Sequence, residues 1–91
     1  MIAKIWNYNF WIGDTNPNEL KKKYEKILID SGFNICGFID KKFNPYGYTC
    51  VWILAESHLA IHTFPEENKT YIELSSCIKN KFDNFKKNLT L

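Results

Sequence analysis

Tyr48-Thr49-Cys50-Val51-Trp52-Ile53-Leu54-Ala55-Glu56-Ser57-His58-Leu59-Ala60-Ile61-His62-Thr63-Phe64 is the stretch on which the fold turns. Its first part, Tyr48 to Ala55, is dense in β-branched and aromatic side chains. That composition predicts a central strand buried on both faces. Ser57 to Phe64 predicts a second strand. Between and within them stands a polar group, Glu56, Ser57, His58 and His62, set into otherwise apolar sequence. By residue type alone, Ser57 and His62 read first as ordinary polar residues on a strand surface. A metal pair is disfavoured, because two His four residues apart on a strand share a face but stand well separated, and no further ligand cluster is evident. A Ser–His hydrolase would need a strand-to-helix elbow of the G-x-S-x-G type, which is absent.

Downstream, Pro65-Glu66-Glu67-Asn68 predicts a turn. Lys69 to Ser75 then alternates, with Thr70, Ile72 and Leu74 on one parity and Tyr71, Glu73 and Ser75 on the other. Ile78, Phe82, Phe85 and Leu89 recur at helical spacing and predict a short amphipathic helix. Upstream, Asp40 to Gly47 reads as a loop punctuated by Pro45 and Gly47, and Phe33 to Ile39 as a strand. Before it, Asn16-Pro17-Asn18-Glu19 is a helix start: an N-cap, Pro at the first helical position, and Glu at the capping-box position. Leu20, Tyr24, Ile27 and Leu28 form its apolar stripe, and Ser31-Gly32 its stop. Ile2 to Ile12 predicts a first strand, with Trp6, Phe10 and Ile12 on one parity. The order β-α-β-β-β-β-α predicts an α+β two-layer sandwich, a largely antiparallel sheet with both helices on one face. The other sheet face must be polar or covered, and a homodimer stacking sheet on sheet is one solution.

The 91 residues, 45% hydrophobic, make one domain, 1–91. A chain of this size buries only about 60–65% of its unfolded surface, so its core alone is marginal. Aromatics at 16% offset this with large buried rings. Net charge is +2, and all twelve basic residues are lysine. Without Arg, nucleic-acid recognition is disfavoured, since base edges and bidentate phosphate contacts favour the guanidinium. The run Lys21, Lys22, Lys23 and Lys26 reads as a solvated helix face. Cys36, Cys50 and Cys77 are odd in number and widely spaced, against a disulfide framework or a structural zinc site. Met1 to Ile12 lacks the pattern of a signal peptide, and no apolar run reaches membrane-spanning length. The expectation is a soluble, cytoplasmic, single-domain protein with no membrane, nucleic-acid or metal partner.

Order and spacing sharpen this. Glu56-Ser57-His58 followed by His62-Thr63-Phe64-Pro65-Glu66 resembles the E-S-H-x-x-x-H-T-W-P-E signature of the prokaryotic S-adenosylmethionine decarboxylase family. Phe43-Asn44-Pro45-Tyr46-Gly47 resembles its F-x-P-x-G loop. Thr49 stands where that family has a processing Ser, and Cys77 follows Ser57 by the same twenty residues as its catalytic Cys. The first strand lacks the family's G-x-H beginning. Relatives of this kind continue past the second helix with a further strand and tail, so the sequence reads as a short form.

The resemblance implies a self-processing proenzyme. Decarboxylating an α-amino acid needs an electron sink at the amine, and a carbonyl that forms a Schiff base supplies it. No side chain has such a carbonyl, so it is made. Ser57 attacks the Glu56 carbonyl, the ester undergoes β-elimination, and residue 57 becomes a pyruvoyl group with loss of ammonia. Cleavage gives a β chain, 1–56, and an α chain, 57–91. The resemblance further implies that His62 removes the Ser57 α-proton, that Thr49 hydrogen-bonds the oxyoxazolidine intermediate, and that Cys77 returns a proton to the substrate. Phe43 would stack on adenine, Phe64 would form an aromatic wall in place of Trp, and Glu66 would bind ribose hydroxyls. The substrate implied is S-adenosylmethionine, whose decarboxylated product donates aminopropyl groups in spermidine synthesis. A pyruvoyl-dependent ornithine or arginine decarboxylase, or a non-processing relative that regulates a full-length enzyme, stands as the alternative. On an ideal strand Ser57 and His62 point to opposite faces, so the scheme asks for a kink, a bulge, or release of the new N-terminus.

Overall fold

A computed structural model describes residues 2–90. The elements run β1 (Trp6–Ile12), α1 (Pro17–Asp30), β2 (Ile35–Lys42), β3 (Tyr48–Leu54), β4 (Ser57–Phe64), a single 3-10 turn (Pro65–Glu67), β5 (Lys69–Ser76) and α2 (Lys79–Asn88). The strands form one sheet in the order β1-β5-β4-β3-β2, antiparallel throughout. β2 to β5 are a meander. β1 joins the far edge, so α1 crosses the whole sheet on its way from β1 to β2. The predicted α+β two-layer sandwich, with both helices on one face, is the architecture found.

Local sequence explains the helix ends. Asn16 caps α1, its side-chain oxygen accepting from the Glu19 amide at 3.0 Å. The reciprocal half of a capping box does not form; the Asn16 amide donates to Asp14 Oδ1 at 2.9 Å instead. Ser31 closes the helix, and Gly32, at φ 96°, takes the left-handed position that ends it. Leu20, Tyr24, Ile27 and Leu28 are buried as their spacing predicts. Phe82 and Phe85 of α2 join them over Tyr48, Cys50, Trp52, Leu54, Leu59, Ile61, Ile72 and Leu74. Trp52 Nε1 donates to Glu25 Oε1 at 3.2 Å, and Asn88 Nδ2 to Ser31 Oγ at 2.9 Å, tying β3 to α1 and α1 to α2.

Three expectations change. The first strand begins at Trp6 rather than Ile2, because only from Trp6 does β5 offer a partner. β2 runs on to Lys42, since Asp40, Lys41 and Lys42 pair with Cys50, Thr49 and Tyr48 and narrow the loop that starts at Asp40. β3 is not buried on both faces. Tyr48, Cys50, Trp52 and Leu54 are buried, but Ile53 on the other face is 53% exposed. Both helices lie on the same side, so the second face has no cover. Ile39 (67%) and Trp11 (53%) are exposed on it as well.

Candidate active site

The sheet has two ends. At the turn end β3 passes into β4 through Ala55 and Glu56, with Leu54 paired to Ser57. Glu56 has φ 58°, left-handed backbone that an L residue adopts at a cost on the order of 1 kcal/mol. Strain of this kind concentrates at functional positions. It sits on the residue whose carbonyl precedes Ser57.

Ser57 is only 8% exposed and faces the helices. Its hydroxyl donates to Ser76 Oγ on β5 at 3.1 Å. Ser76 is fully buried; its oxygen also accepts from the Ile78 amide at 3.1 Å and donates to the Ile78 carbonyl at 3.4 Å. Cys77, the next residue, turns the other way and its thiol donates to Glu56 Oε2 at 3.5 Å. A cavity of about 210 Å³ opens beside it, lined by Ile2, Ala3, Lys4, Trp6, Glu56 and Cys77. Glu56, Ser57 and Cys77 are therefore brought together by three strand ends. Ser76 was not singled out in the sequence. Pairing of Phe64 with Lys69 across the 3-10 turn sets the register that brings Ser57 opposite Ser76, so the signal lay in the hairpin count.

The opposite, loop end carries the others. Thr49 and His62 are register partners on β3 and β4, and Thr49 Oγ1 lies 2.9 Å from His62 Nδ1. Tyr71 stacks near His62 at 6.4 Å between centroids. Its hydroxyl donates to Glu73, whose carboxylate raises the phenol's pKa. Phe64 leans on Trp11 at 5.9 Å. Phe43 closes the loop, its amide donating to the Gly47 carbonyl at 2.8 Å. Gly47, at φ 115°, takes a left-handed backbone in which any side chain would be strained. Phe43 and Thr49 line a cavity of about 250 Å³ with Ile39, Asp40, Lys41 and Val51. Glu66, in the 3-10 turn, is exposed at the same end. Trp11 and Tyr71 are further members of this end that the motif spacing did not reveal.

The chain does not bring Ser57 and His62 together. β4 runs through both without a bulge. Five residues at roughly 3.3 Å each separate them along the strand, and their side chains leave opposite faces. A kink within β4 is thus excluded as the way to close the site.

The three cysteines are free thiols in different settings. Burial in the core pushes the Cys50 thiol up to about 12, with the nearby Asp40 adding to the effect and the Tyr48 hydrogen bond opposing it. Cys50 is a core residue; Cys77 borders a cavity. Among the described residues, no group of three or more His, Cys, Asp or Glu side chains is arranged to hold a metal ion. Among them, too, no helix is long and apolar enough to cross a membrane.

A five-stranded antiparallel sheet with two helices on one face defines a class, an α+β two-layer sandwich, here with a Glu-Ser peptide bond in a strained β3–β4 turn beside a free thiol. The family model for S-adenosylmethionine decarboxylase matches residues 14–89, and the chain belongs to that family. It is 45% identical over 77 residues to S-adenosylmethionine decarboxylase proenzyme 2 of Bacillus cereus, covering 85% of this chain and 62% of the relative. It is 31% identical to the S-adenosylmethionine decarboxylase proenzyme of Thermosipho melanesiensis, over 85% of this chain and 58% of the relative. The chain thus spans about three fifths of the length of the curated relatives it matches. The crystal structure of the adenosylmethionine decarboxylase from Aquifex aeolicus has the same fold, with TM-score 0.68 and 20% identity over 94% of this chain and 78% of that one.

Proposed function

We propose that this chain is a self-processing S-adenosylmethionine decarboxylase that cleaves itself between Glu56 and Ser57. The observation that carries the reading is the turn: a left-handed Glu56, a buried Ser57 hydroxyl, and the Cys77 thiol 3.5 Å from the Glu56 carboxylate. Attack of Ser57 Oγ on the Glu56 carbonyl carbon exchanges the C–N bond for a C–O ester and frees the Ser57 nitrogen. Removal of the Ser57 α-proton then breaks the Cβ–O bond, leaving Glu56 as a new carboxyl terminus, and hydrolysis releases ammonia. The turn fits the resulting pyruvoyl group, since it stands at a strand start next to a cavity wide enough for a small substrate end. When present, that group supplies a carbonyl electron sink for loss of carbon dioxide.

The chain's own residues supply the proton transfers. His62 takes the α-proton. The role calls for the tautomer in which Nδ1–H faces Thr49 Oγ1, 2.9 Å away, which leaves Nε2 with a lone pair to act as base. Thr49 uses its hydroxyl both to orient His62 and to steady the intermediate. Cys77 returns a proton to the substrate carbon, which requires it to stay a thiol, as a reducing, cytoplasmic setting would keep it. Phe43, Phe64 and Glu66 bind the nucleoside, the rings against adenine and the carboxylate at the ribose hydroxyls. The product would serve as aminopropyl donor for spermidine synthesis.

The separation of the two ends supports a homodimer. Two sheets can stack on their uncovered faces about a two-fold axis that lies between them and across the strands. The turn end of one copy then lies over the loop end of the other. Ser57 and Cys77 of each protomer would be completed by Thr49, His62, Phe43, Phe64 and Glu66 of its partner.

Intact mass of the purified protein tests the reading. The parent chain is expected as fragments of 56 and 35 residues, the smaller trapped by phenylhydrazine at its N-terminus. Ser57→Ala is expected as one uncut chain without activity. A parent chain that stays whole on prolonged incubation would sink the proposal, and carbon dioxide release from ornithine or arginine alone would correct the substrate.

A further inference from the structure

Ser76 has no place in the scheme above, yet it is the protein group that holds the nucleophile. It is fully buried, and it accepts the hydrogen bond from Ser57 Oγ at 3.1 Å. Its own orientation is fixed from the other side by the Ile78 amide, which donates to it at 3.1 Å, and by the Ile78 carbonyl, to which it donates at 3.4 Å. A buried hydroxyl pinned by a backbone amide and carbonyl is a rigid partner, and rigidity is what a positioning group needs.

Resting on the self-cleavage reading, we propose that Ser76 is the positioning residue of the first processing step, the transfer of the Glu56 acyl group from the Ser57 nitrogen to the Ser57 oxygen. In that step the Oγ–C bond forms and the C–N bond breaks. The proton that leaves Oγ ends on the freed Ser57 amine, so the step is balanced without an external reactant. Ser76 Oγ accepts the Ser57 O–H hydrogen bond and so fixes the direction from which the oxygen attacks. It has no part in the later elimination, where the proton lost is that on Cα. Ser76 thereby separates the step that makes the ester from the step that consumes it.

The experiment compares self-cleavage of the full-length parent, Ser76→Ala and Ser76→Thr, with hydroxylamine added to each. Hydroxylamine cuts an ester and leaves an amide, so it reports whether the acyl shift has taken place. Ser76→Ala is expected to fold, by circular dichroism melting, and to cleave roughly a hundredfold more slowly, the cost of loosening a reacting atom by about 1 Å. It is expected to stay largely resistant to hydroxylamine, because the ester forms too slowly to accumulate. Ser76→Thr keeps the hydroxyl and is expected to regain most of the parent rate. Three results overturn the proposal: Ser76→Ala cleaving at the parent rate, Ser76→Ala uncut but releasing its first 56 residues to hydroxylamine, or a folded Ser76→Thr that stays uncut. If the parent itself neither cleaves nor yields to hydroxylamine, the self-cleavage reading falls, and this inference with it; a parent that cleaves isolates the fault in Ser76.

Discussion

The two ends of the sheet differ in kind. The turn end is built from backbone: a left-handed Glu56, a two-residue connection, and hydroxyls buried between strand ends. The loop end is built from side chains on an uncovered face: His62 against Thr49, Tyr71 beside it, Phe64 on Trp11, and Phe43 in the loop. The first end can store strain and present a peptide bond. The second offers an imidazole and aromatic surface. β4, which runs straight between them, holds the two ends apart. In the proposed dimer a second copy, reversed end for end, brings them together.

Co-expression breaks or secures that comparison most directly. Ser57→Ala and His62→Ala are each expected to remain uncut alone. Mixed, they are expected to restore cleavage in up to roughly a quarter of the chains, since half the dimers are mixed and each has one complete site. Intact mass reads the outcome; no cleavage in the mixture would mean that each chain processes itself. Cys77→Ala is the next largest effect. It changes only the turn end, after the bond is cut, so cleavage should proceed while turnover drops by about 10² to 10⁴, the usual worth of a placed acid. Carbon dioxide release per trapped pyruvoyl measures it, and normal turnover would remove Cys77 from the reaction. Phe43→Ala should act at the loop end alone. Processing stays intact and KM rises by about fivefold, as expected for loss of an aromatic stacking partner worth about 1 kcal/mol. A change in cleavage rate without a change in KM would place Phe43 elsewhere.

The smallest effect lies in neither end but in the core between them. Cys50 and Tyr24 have pKa values pushed up to about 12 by burial, from 9.0 and 10.0. A raised pKa means that the stabilising contribution is complete below the unfolded value and is lost as pH climbs toward the folded one. Melting temperature should therefore begin to fall above about pH 9 and continue to fall toward pH 12. Cys50→Val should flatten the early part of that decline. An unchanged profile would show that the Cys50 thiol is not what titrates.

Much of the fold could be read along the chain because its signals are local. The Asn16-Pro17 start, the Leu20-Tyr24-Ile27-Leu28 stripe and the alternation of Thr70, Ile72 and Leu74 each express a period or a cap, and these survive folding. The β-branched and aromatic stretch Tyr48 to Ala55 misled, because it reports hydrophobicity and not coverage. Ile53 is apolar, yet 53% of it is exposed, because both helices lie on the other face. The motif residues were likewise legible as a list. Spacing marked Glu56, Ser57, His62 and Cys77, yet spacing cannot say which of them meet.

By itself, then, the sequence determined the element order, the start and end of α1 and the inward parity of β1 and β5, and it marked the candidate site residues. All of these depend on residue type and on separations of a few residues. Only the tertiary structure decided that Cys77 returns to Glu56 across 21 residues, that the unremarked Ser76 holds Ser57, and that His62 belongs with Thr49 at the far end. Those pairings depend on the antiparallel register of the sheet. A shift of one residue would send every side chain to the opposite face, and that register is fixed by the whole core at once.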